Sequence, residues 1–246
     1  MQLSKRLQAV ADLITPGNIV ADVGCDHAYI AIYLAERQFS PHIIAMDVNK
    51  GPISHAKANI RKYGQESRIE VRQSDGLEKL KENEADTILI AGMGGALTIR
   101  ILTDHMEVTK TVKELVLQPQ SEIHLVREML SDNGFLITSE NMAMEDGKYY
   151  VMMKAVQRSS IGDEKPYELT EEEQFYYGRL LLEQGHPVLK KFLLREMELS
   201  ERIDQELREK STENSRLRQR EISDEIRRLQ AALGYFNKKS QRKNLK

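Results

Sequence analysis

The stretch Ile19-Val20-Ala21-Asp22-Val23-Gly24-Cys25-Asp26-His27-Ala28 decides the fold of this 246-residue chain. An apolar run that ends in an acid-x-glycine turn and opens directly into a helical pattern is typical of a parallel strand followed by its crossover helix. Outward from it, further apolar runs begin at Ile43, Ile69, Thr87 and Leu115, with helical patterns between them. This alternation predicts an α/β fold with a mostly parallel sheet and helices on both faces.

The end of this region has a different pattern. Two apolar runs flank a turn at Glu145-Asp146-Gly147, which predicts a hairpin whose last strand enters the sheet antiparallel. The two hairpin strands are predicted at residues 135–142 and 149–156. The other predicted strands are Ile43–Asp47, Ile69–Val71, Thr87–Ala91 and Leu115–Leu117. The predicted helices are residues 3–14, 29–36, 52–63, 96–105 and 121–130.

The turn at Gly24 indicates the charge of its ligand. A dinucleotide site needs three glycines in the pattern GxGxxG, but the other two glycine positions hold Asp26 and Tyr29. Asp22 and Asp26 would repel a pyrophosphate. S-adenosylmethionine has no phosphate and carries a sulfonium and an ammonium, so this turn favours it as the cofactor. A plain strand-to-helix turn is the alternative.

Acidic residues also follow the next two strands. Asp47 ends the second strand, where a carboxylate can accept hydrogen bonds from both ribose hydroxyls of an adenosyl cofactor. Asp75, beside Gly76, is placed to reach the adenine amino group. The glycines of Gly92-Met93-Gly94 would let the substrate and the reactive methyl group approach the backbone closely. Each acid could instead be a helix cap or a turn residue.

Composition excludes several kinds of site. The single cysteine, Cys25, cannot form an internal disulfide, and its place in the turn favours a small buried thiol over a nucleophile. The six histidines show no metal-ligand spacing, so no metal is predicted. No apolar run is long enough for a membrane span and the N-terminus lacks a signal-peptide core, which predicts a cytoplasmic protein.

The last third of the chain is helical in pattern and uneven in charge. Thr170-Glu171-Glu172-Glu173 predicts a capping box, and the apolar spacing beyond it predicts a helical hairpin or an antiparallel coiled coil. From Arg216 onward there are 10 Lys and Arg against 3 Asp and Glu, so this end carries +7 and the remainder −9. The asymmetry suggests an anionic partner, and a solvated basic tail is the alternative.

Five segments together resemble the bacterial tRNA (adenine-22-N1)-methyltransferase family: LSKRL at 3–7, ADVGCDHAYI at 21–30, SDGL at 74–77, AGMGGAL at 91–97 and LQP at 117–119. The resemblance implies a Rossmann-like class I methyltransferase sheet with a C-terminal helical, coiled-coil domain. It also implies S-adenosylmethionine as methyl donor and N1 of an adenosine in tRNA as acceptor. The expected domains are residues 1–158, which bind the cofactor, and 167–246, which contact tRNA.

An N1-methyltransferase needs the adenine unpaired and held in place, which suggests roles for the turn. Asp26 could accept a hydrogen bond from the adenine amino group, with His27 helping to place the base; holding the loop or the cofactor ammonium is the alternative for Asp26. The candidates for stacking on the adenine are Tyr29, Tyr149 and Tyr150. Packing in the core is the alternative for each of them. Asp22 is expected to orient the methionine moiety through the loop backbone.

Basic residues are the candidates for tRNA contact. Arg6 lies in the LSKRL segment and could meet a phosphate near the active site, with a surface salt bridge as the alternative. The candidate backbone contacts of the tail are Arg216, Arg218, Arg220, Lys238 and Lys239. Two rival functions remain at this point: a small-molecule or protein methyltransferase whose tail dimerises, and a non-catalytic S-adenosylmethionine-binding module whose coiled coil recruits a protein. The sequence does not determine the oligomeric state, and a monomer is favoured over an oligomer.

Overall fold

The computed structural model describes residues 1–162, 168–209 and 213–243, with side chains up to residue 237. The chain divides into two compact units, Met1–Glu168 and Leu169–Lys246. Within the described ranges, no helix is long and apolar enough to cross a membrane.

The first unit contains a seven-stranded sheet with the order β3-β2-β1-β4-β5-β7-β6. Strands β1 to β5 pair in parallel, whereas β7 runs antiparallel to both β5 and β6. This is the mixed sheet expected from the resemblance, and the predicted fold class is confirmed. The strands are β1 Val20–Val23, β2 Ile43–Asp47, β3 Ile69–Gln73, β4 Thr87–Ala91, β5 Glu114–Gln118, β6 Phe135–Glu145 and β7 Lys148–Gln157.

Helices cover this sheet and complete its core. They are α1 Lys5–Ala11, α2 Tyr29–Glu36, α3 Lys50–Lys62, α4 Gly95–Asp104, α5 Met106–Thr109 and α6 Ile123–Asp132. All four residues of β1 are buried, and so are the residues of α2 from Ile30 to Ala35. A central parallel strand and a helix that is apolar on all sides both need burial, which fixes β1 and α2 in the middle of the unit.

The ends of several predicted helices differ from the observed ones. The opening helix was expected to reach Ile14 but ends at Ala11. Leu13 and Ile14 are buried, yet their amides donate to Val10 and Ala11, three residues back, in tight turns. Apolar spacing indicates which residues are buried but not which hydrogen bonds their backbone makes. The predicted helix was therefore too long at its carboxyl end. The short helix α5 was not predicted.

The hairpin turn forms where the sequence placed it. Asp146 and Gly147 both have positive φ, 50° and 73°, as a two-residue type I′ turn requires. Strand β6 ends three residues later than predicted and β7 extends one residue further at each end, and the register shifts between Ile137 and Ser139. A buried ion pair joins the hairpin to α6, because Arg127 donates to Glu140 Oε1 through Nε at 3.1 Å and Nη2 at 2.8 Å. Both side chains are almost completely buried.

The second unit is helical, with α7 Glu172–Tyr177, α8 Arg179–Gln184, α9 Pro187–Arg208 and α10 Glu213–Lys243. The predicted capping box is one residue off: Glu171 is the N-cap and Gln174 is its partner, because the helix begins at Glu172. Ser200 on α9 donates to Glu225 on α10, and Gln219 contacts Asp204. Since residue numbers rise along α9 as they fall along α10, the two helices pack antiparallel, as the apolar spacing predicted.

Candidate active site

A cleft lies where the carboxyl ends of the central strands meet. The last residues of β1, β2 and β4 lead into it, as does the segment after β5, and its volume is about 460 Å³. In parallel α/β sheets this edge is where ligands bind, because the loops there are free to differ while the sheet holds them in place. The lining residues are Arg6, Leu7, Asp22, Gly24, Cys25, Asp26, His27, Tyr29, Ile30, Asp47, Ala91, Gly92, Met93 and Gln120.

The β1–α2 loop, residues 24–28, is a tight turn with three residues at positive φ. These are Gly24 at 73°, Asp26 at 48° and Ala28 at 58°. The amides of Gly24 and Cys25 both donate to the carbonyl oxygen of Met46, at 2.8 and 2.9 Å, which ties the loop to β2. A left-handed alanine is uncommon, and such backbone conformations concentrate at functional sites.

Asp22 is the buried acid of the cleft. Only 5% of its surface is exposed, although it lies among the lining residues. Burial, with the negative charge of Asp47 as a second cause, raises the pKa of Asp22 to about 7. A buried carboxylate is costly to ionise without a cation beside it. The cleft therefore favours a positively charged ligand at this position.

Asp47, at the end of β2, is the second acid of the cleft. Its Oδ1 accepts a hydrogen bond from the Asn49 amide at 2.9 Å, and the Asp26 amide lies 3.4 Å from its Oδ2. These contacts fix the carboxylate while leaving part of it open to the cleft. Its position fits the predicted contact with ribose hydroxyls.

The thiol of Cys25 is not suited to nucleophilic catalysis. Burial raises its pKa, and the carboxylates of Asp22, Asp47 and Asp26 raise it further. Only a thiolate is a strong nucleophile, so this thiol stays protonated and inert at neutral pH. The sequence-based preference for a small buried thiol agrees with this environment.

Asp26, His27 and Tyr29 lie together at the mouth of the cleft. The Asp26 side chain is 67% exposed, and its Oδ1 is 3.7 Å from His27 Nε2. Tyr29 is 43% exposed, and its ring stacks on that of His27 with centroids 5.3 Å apart. The core-packing alternative for Tyr29 is therefore wrong, since a core tyrosine would be buried. An exposed carboxylate beside one exposed and one half-buried ring can contact a base that enters the cleft.

The loop after β4 is hydrogen-bonded to the segment after β5. The Gly92 amide donates to the Gln118 carbonyl at 3.0 Å, and the Gln120 amide donates to the Met93 carbonyl at 2.8 Å. Gly95, the first residue of α4, lies against this segment. A Cβ at Gly95 would be 2.4 Å from the backbone oxygen of Ser121. Gly95 therefore serves loop packing, a role that the sequence pattern does not predict.

We expect Gly95→Ala to lower the free energy of unfolding by about 1–3 kcal/mol, because the new methyl group collides with backbone that has to shift. Urea unfolding of the full chain measures this. Gly234→Ala is the control, since Gly234 lies inside helix α10 and has no atom near its missing Cβ. That control is expected to gain stability by about 0.5–1 kcal/mol. Equal effects of both substitutions would contradict the packing role of Gly95.

Arg6 is held at the cleft by a neutral partner. Its Nη1 donates to Gln118 Oε1 at 2.7 Å, and its guanidinium lies 5.4 Å from the centre of the Tyr150 ring. Among the residues described, no carboxylate forms an ion pair with it, so the surface salt bridge considered as an alternative is wrong. Its charge is left available to a ligand. Gln120 also lines the cleft and was missed as a site residue, because a glutamine after a strand carries no distinctive motif.

Comparison with known proteins gives the family. A family model described as "Methyltransferase domain" matches residues 3–153. The tRNA (adenine(22)-N(1))-methyltransferase of Bacillus subtilis is 41% identical over 155 residues, which cover 63% of this chain and 65% of that protein. The crystal structure of a B. subtilis m1A22 tRNA methyltransferase aligns over 94% of this chain and 98% of that one, with 33% identity and a TM-score of 0.82. The chain belongs to the tRNA (adenine-22-N1)-methyltransferase family.

A Streptococcus pneumoniae relative in complex with S-adenosyl-L-methionine aligns over 94% of this chain and all of that one, with 30% identity and a TM-score of 0.80. Family membership and this complex agree with S-adenosylmethionine as the cofactor, as the turn at Gly24 predicted. Within the described ranges, no group of three His, Cys, Asp or Glu residues could hold a metal ion.

Three residues predicted to bind the methyltransferase cofactor lie outside the cleft. Asp75 and Gly76 line a separate cavity of about 240 Å³ beside α4. Gly94 is not among the cleft-lining residues, and a Cβ there would lie 3.2 Å from Ser121 Oγ. Consecutive strands end at one edge of the sheet, but the sequence does not tell on which side of a strand end a loop residue lies. The contact of Asp75 with adenine stays a prediction.

The predicted tRNA contacts of the second unit are only partly described. Arg216, Arg218 and Arg220 are exposed on α10, and Arg218 pairs with Glu221 at 2.6 Å. The side chains of Lys238 and Lys239 lie outside the described residues. The role of this surface in binding RNA stays a prediction of the family resemblance.

Proposed function

We propose that this chain transfers the methyl group of S-adenosylmethionine to N1 of adenosine 22 in tRNA. The observation that carries the proposal is the buried Asp22 carboxylate in a cleft whose mouth holds Asp26, His27 and Tyr29, in a member of this family. The tRNA substrate implies a cytoplasmic enzyme, and a monomer stays the expected oligomeric state.

The residues of the cleft fit this cofactor. Asp22 would face a cationic group, and Asp47 would accept hydrogen bonds from the ribose hydroxyls. S-adenosylmethionine supplies an electrophilic methyl group on a sulfonium. The N1 lone pair of adenine forms the new bond to the methyl carbon while the carbon–sulfur pair stays on sulfur, so the products are S-adenosylhomocysteine and a methylated, cationic adenine.

The chain needs no general base for this transfer, because N1 carries no proton to remove. Its task is to position the base and to stabilise the charge that develops on the ring. The exposed Asp26 carboxylate can accept a hydrogen bond from the adenine amino group and oppose that charge. Tyr29 and His27 offer ring surface at the same place. N1 takes part in base pairing, so the nucleotide has to be unpaired when it enters.

Incubation with labelled S-adenosylmethionine and unmodified tRNA transcripts tests the proposal. We expect label in a tRNA with adenosine at position 22 and none in the same tRNA with guanosine there. Label in both transcripts, or in neither despite cofactor binding, would contradict it. Label in a protein or a small molecule from a cell extract would favour the rival methyltransferases.

We expect Asp26→Asn to lower kcat for tRNA methylation about tenfold while leaving cofactor affinity unchanged, because it removes only the charge that faces the base. Asparagine tolerates the positive φ of Asp26, so the loop is retained. Asp146→Asn is the matched control: Asp146 is also exposed and has a φ of 50°, but it lies in the hairpin turn. Unchanged kcat in Asp26→Asn would assign Asp26 to holding the loop.

A further inference from the structure

Three aromatic rings form a near-parallel stack at the mouth of the cleft. The His27 ring lies 5.3 Å from that of Tyr29 and 5.0 Å from that of His55, with interplanar angles of 15° and 6°. Tyr29 and His27 line the cleft, whereas His55 is an exposed residue of α3 that does not. The stack therefore leads from the cleft onto the outer surface of α3.

Helix α3 carries only positive charge. Lys50, Lys57, Arg61 and Lys62 are exposed, and residues 48–65 contain no Asp or Glu. In the part of the chain that the structure describes, none of these four cations pairs with a carboxylate. A solvated helix face usually mixes both signs, since pairs three or four residues apart stabilise it. An unpaired basic face instead suits an anionic partner.

A hydrogen bond connects helix α3, which carries the basic face, to the loop that carries the ring of His27. Asn59 of α3 donates through Nδ2 to the His27 carbonyl at 3.1 Å, which ties the helix to the β1–α2 loop. His55 and Lys62 are seven residues apart, so they lie within about 20° of each other around the helix. Arg61 is also exposed and lies about 100° around the helix from Lys62, whereas Lys57 is about 160° from His55 and faces the other side of the helix. A ring surface and a series of cations are the two elements of sites that bind single-stranded nucleic acid.

We propose that this surface, made of His55, Arg61 and Lys62, holds the RNA strand that flanks the target adenosine of tRNA. The inference rests on the proposed function, because it takes tRNA as the molecule that enters the cleft. An unpaired neighbouring base stacks on His55 and continues the stack of His27 and Tyr29. Arg61 and Lys62 contact the phosphates of the same strand, so the strand is guided toward the cleft without being read for sequence.

Equilibrium binding of fluorescein-labelled tRNA to full-length variants tests this surface. We expect His55→Ala to weaken tRNA binding about tenfold and His55→Phe to restore it to within about twofold, because phenylalanine retains a stacking ring. His42→Ala is the control, since His42 is an exposed histidine that precedes β2 at the opposite edge of the sheet. Affinity for S-adenosylmethionine is expected to stay unchanged in all three.

The salt dependence of tRNA binding tests the proposed phosphate contacts. We expect the double variant Arg61→Ala/Lys62→Ala to weaken tRNA binding about tenfold and to reduce the slope of log K against log salt by about two, over about 50–200 mM salt. Lys113→Ala, near the amino end of β5, is the control and should leave the slope unchanged.

The outcomes separate this inference from the proposed function. If the wild type methylates adenosine 22 while His55→Ala and the double variant bind tRNA within about twofold of it, the surface is wrong and the function stands. Loss of cofactor affinity in His55→Ala would also overturn the inference, because the ring would then only support the loop. If the wild type binds tRNA through this surface but methylates nothing, the proposed function fails alone.

Discussion

Replacing Asp22 by asparagine is expected to weaken binding of S-adenosylmethionine about a hundredfold at about pH 7.5. The wild-type carboxylate is buried among the residues that line the cleft, where we propose that a cationic group of the cofactor binds, so the amide would leave that charge without its partner. Isothermal titration calorimetry measures the affinity. Asp146→Asn, the exposed control in the hairpin turn, is expected to bind like the wild type.

The pH dependence of cofactor binding should report the same group. Burial and the charge of Asp47 raise the pKa of Asp22 to about 7. The cationic cofactor prefers the ionised form, so wild-type affinity is expected to rise about tenfold from about pH 6 to about pH 7.5, whereas Asp22→Asn should show no such rise. An equal rise in both proteins would show that another group titrates.

The stability of the free protein should change in the opposite direction. The folded-state pKa of Asp22 lies above its unfolded value, near 3.8. The contribution of this group to stability is therefore fully present below about pH 4 and is lost as pH rises through about 7. Without cofactor, Asp22→Asn is expected to unfold with about 2 kcal/mol more free energy than the wild type at about pH 8. A less stable variant at that pH would contradict the buried charge.

Replacing Arg127 of the buried ion pair is expected to have a large effect on the stability of the fold. We expect Arg127→Met to lower the free energy of unfolding by about 3–5 kcal/mol, because it leaves the Glu140 carboxylate buried without its cation. The double variant Arg127→Met/Glu140→Leu should recover most of the loss, since two apolar side chains need no partner. Urea unfolding followed by circular dichroism measures both.

The ion pair between the exposed Lys113 and the half-buried Asp86 provides the control for this effect. The Lys113 side chain is 69% exposed, and Lys113→Met is expected to cost less than about 1 kcal/mol. If the double variant were as unstable as Arg127→Met, the guanidinium would matter for contacts other than Glu140. The prediction would also fail if Arg127→Met and Lys113→Met lost equal stability.

Much of the fold was predictable because burial leaves a periodic pattern in the sequence. Strands β1, β2 and β4 are apolar runs since both sheet faces are covered, and the Asp146-Gly147 turn has residues that tolerate positive φ. The ends of helices were less predictable. Leu13 and Ile14 are buried in turns rather than in a helix, and apolar spacing does not distinguish the two.

The site was predictable where one turn supplies several residues. Asp22, Gly24 and Asp26 lie within five positions, so their convergence follows from local geometry. Contacts between distant segments were not predictable. The stack of His27 on His55 and the packing of Gly95 against Ser121 join residues more than 20 positions apart, and no periodic pattern records which loops meet.

The position of the new methyl group on the base distinguishes attack by adenine N1 from every other methylation of tRNA. After reaction of the wild type with labelled S-adenosylmethionine and an unmodified tRNA, the RNA is digested and its nucleosides are separated. We expect N1-methyladenosine, because N1 attacks through its lone pair and the cleft supplies positioning without a base. N6-methyladenosine, or label in any nucleoside other than adenosine, would contradict it.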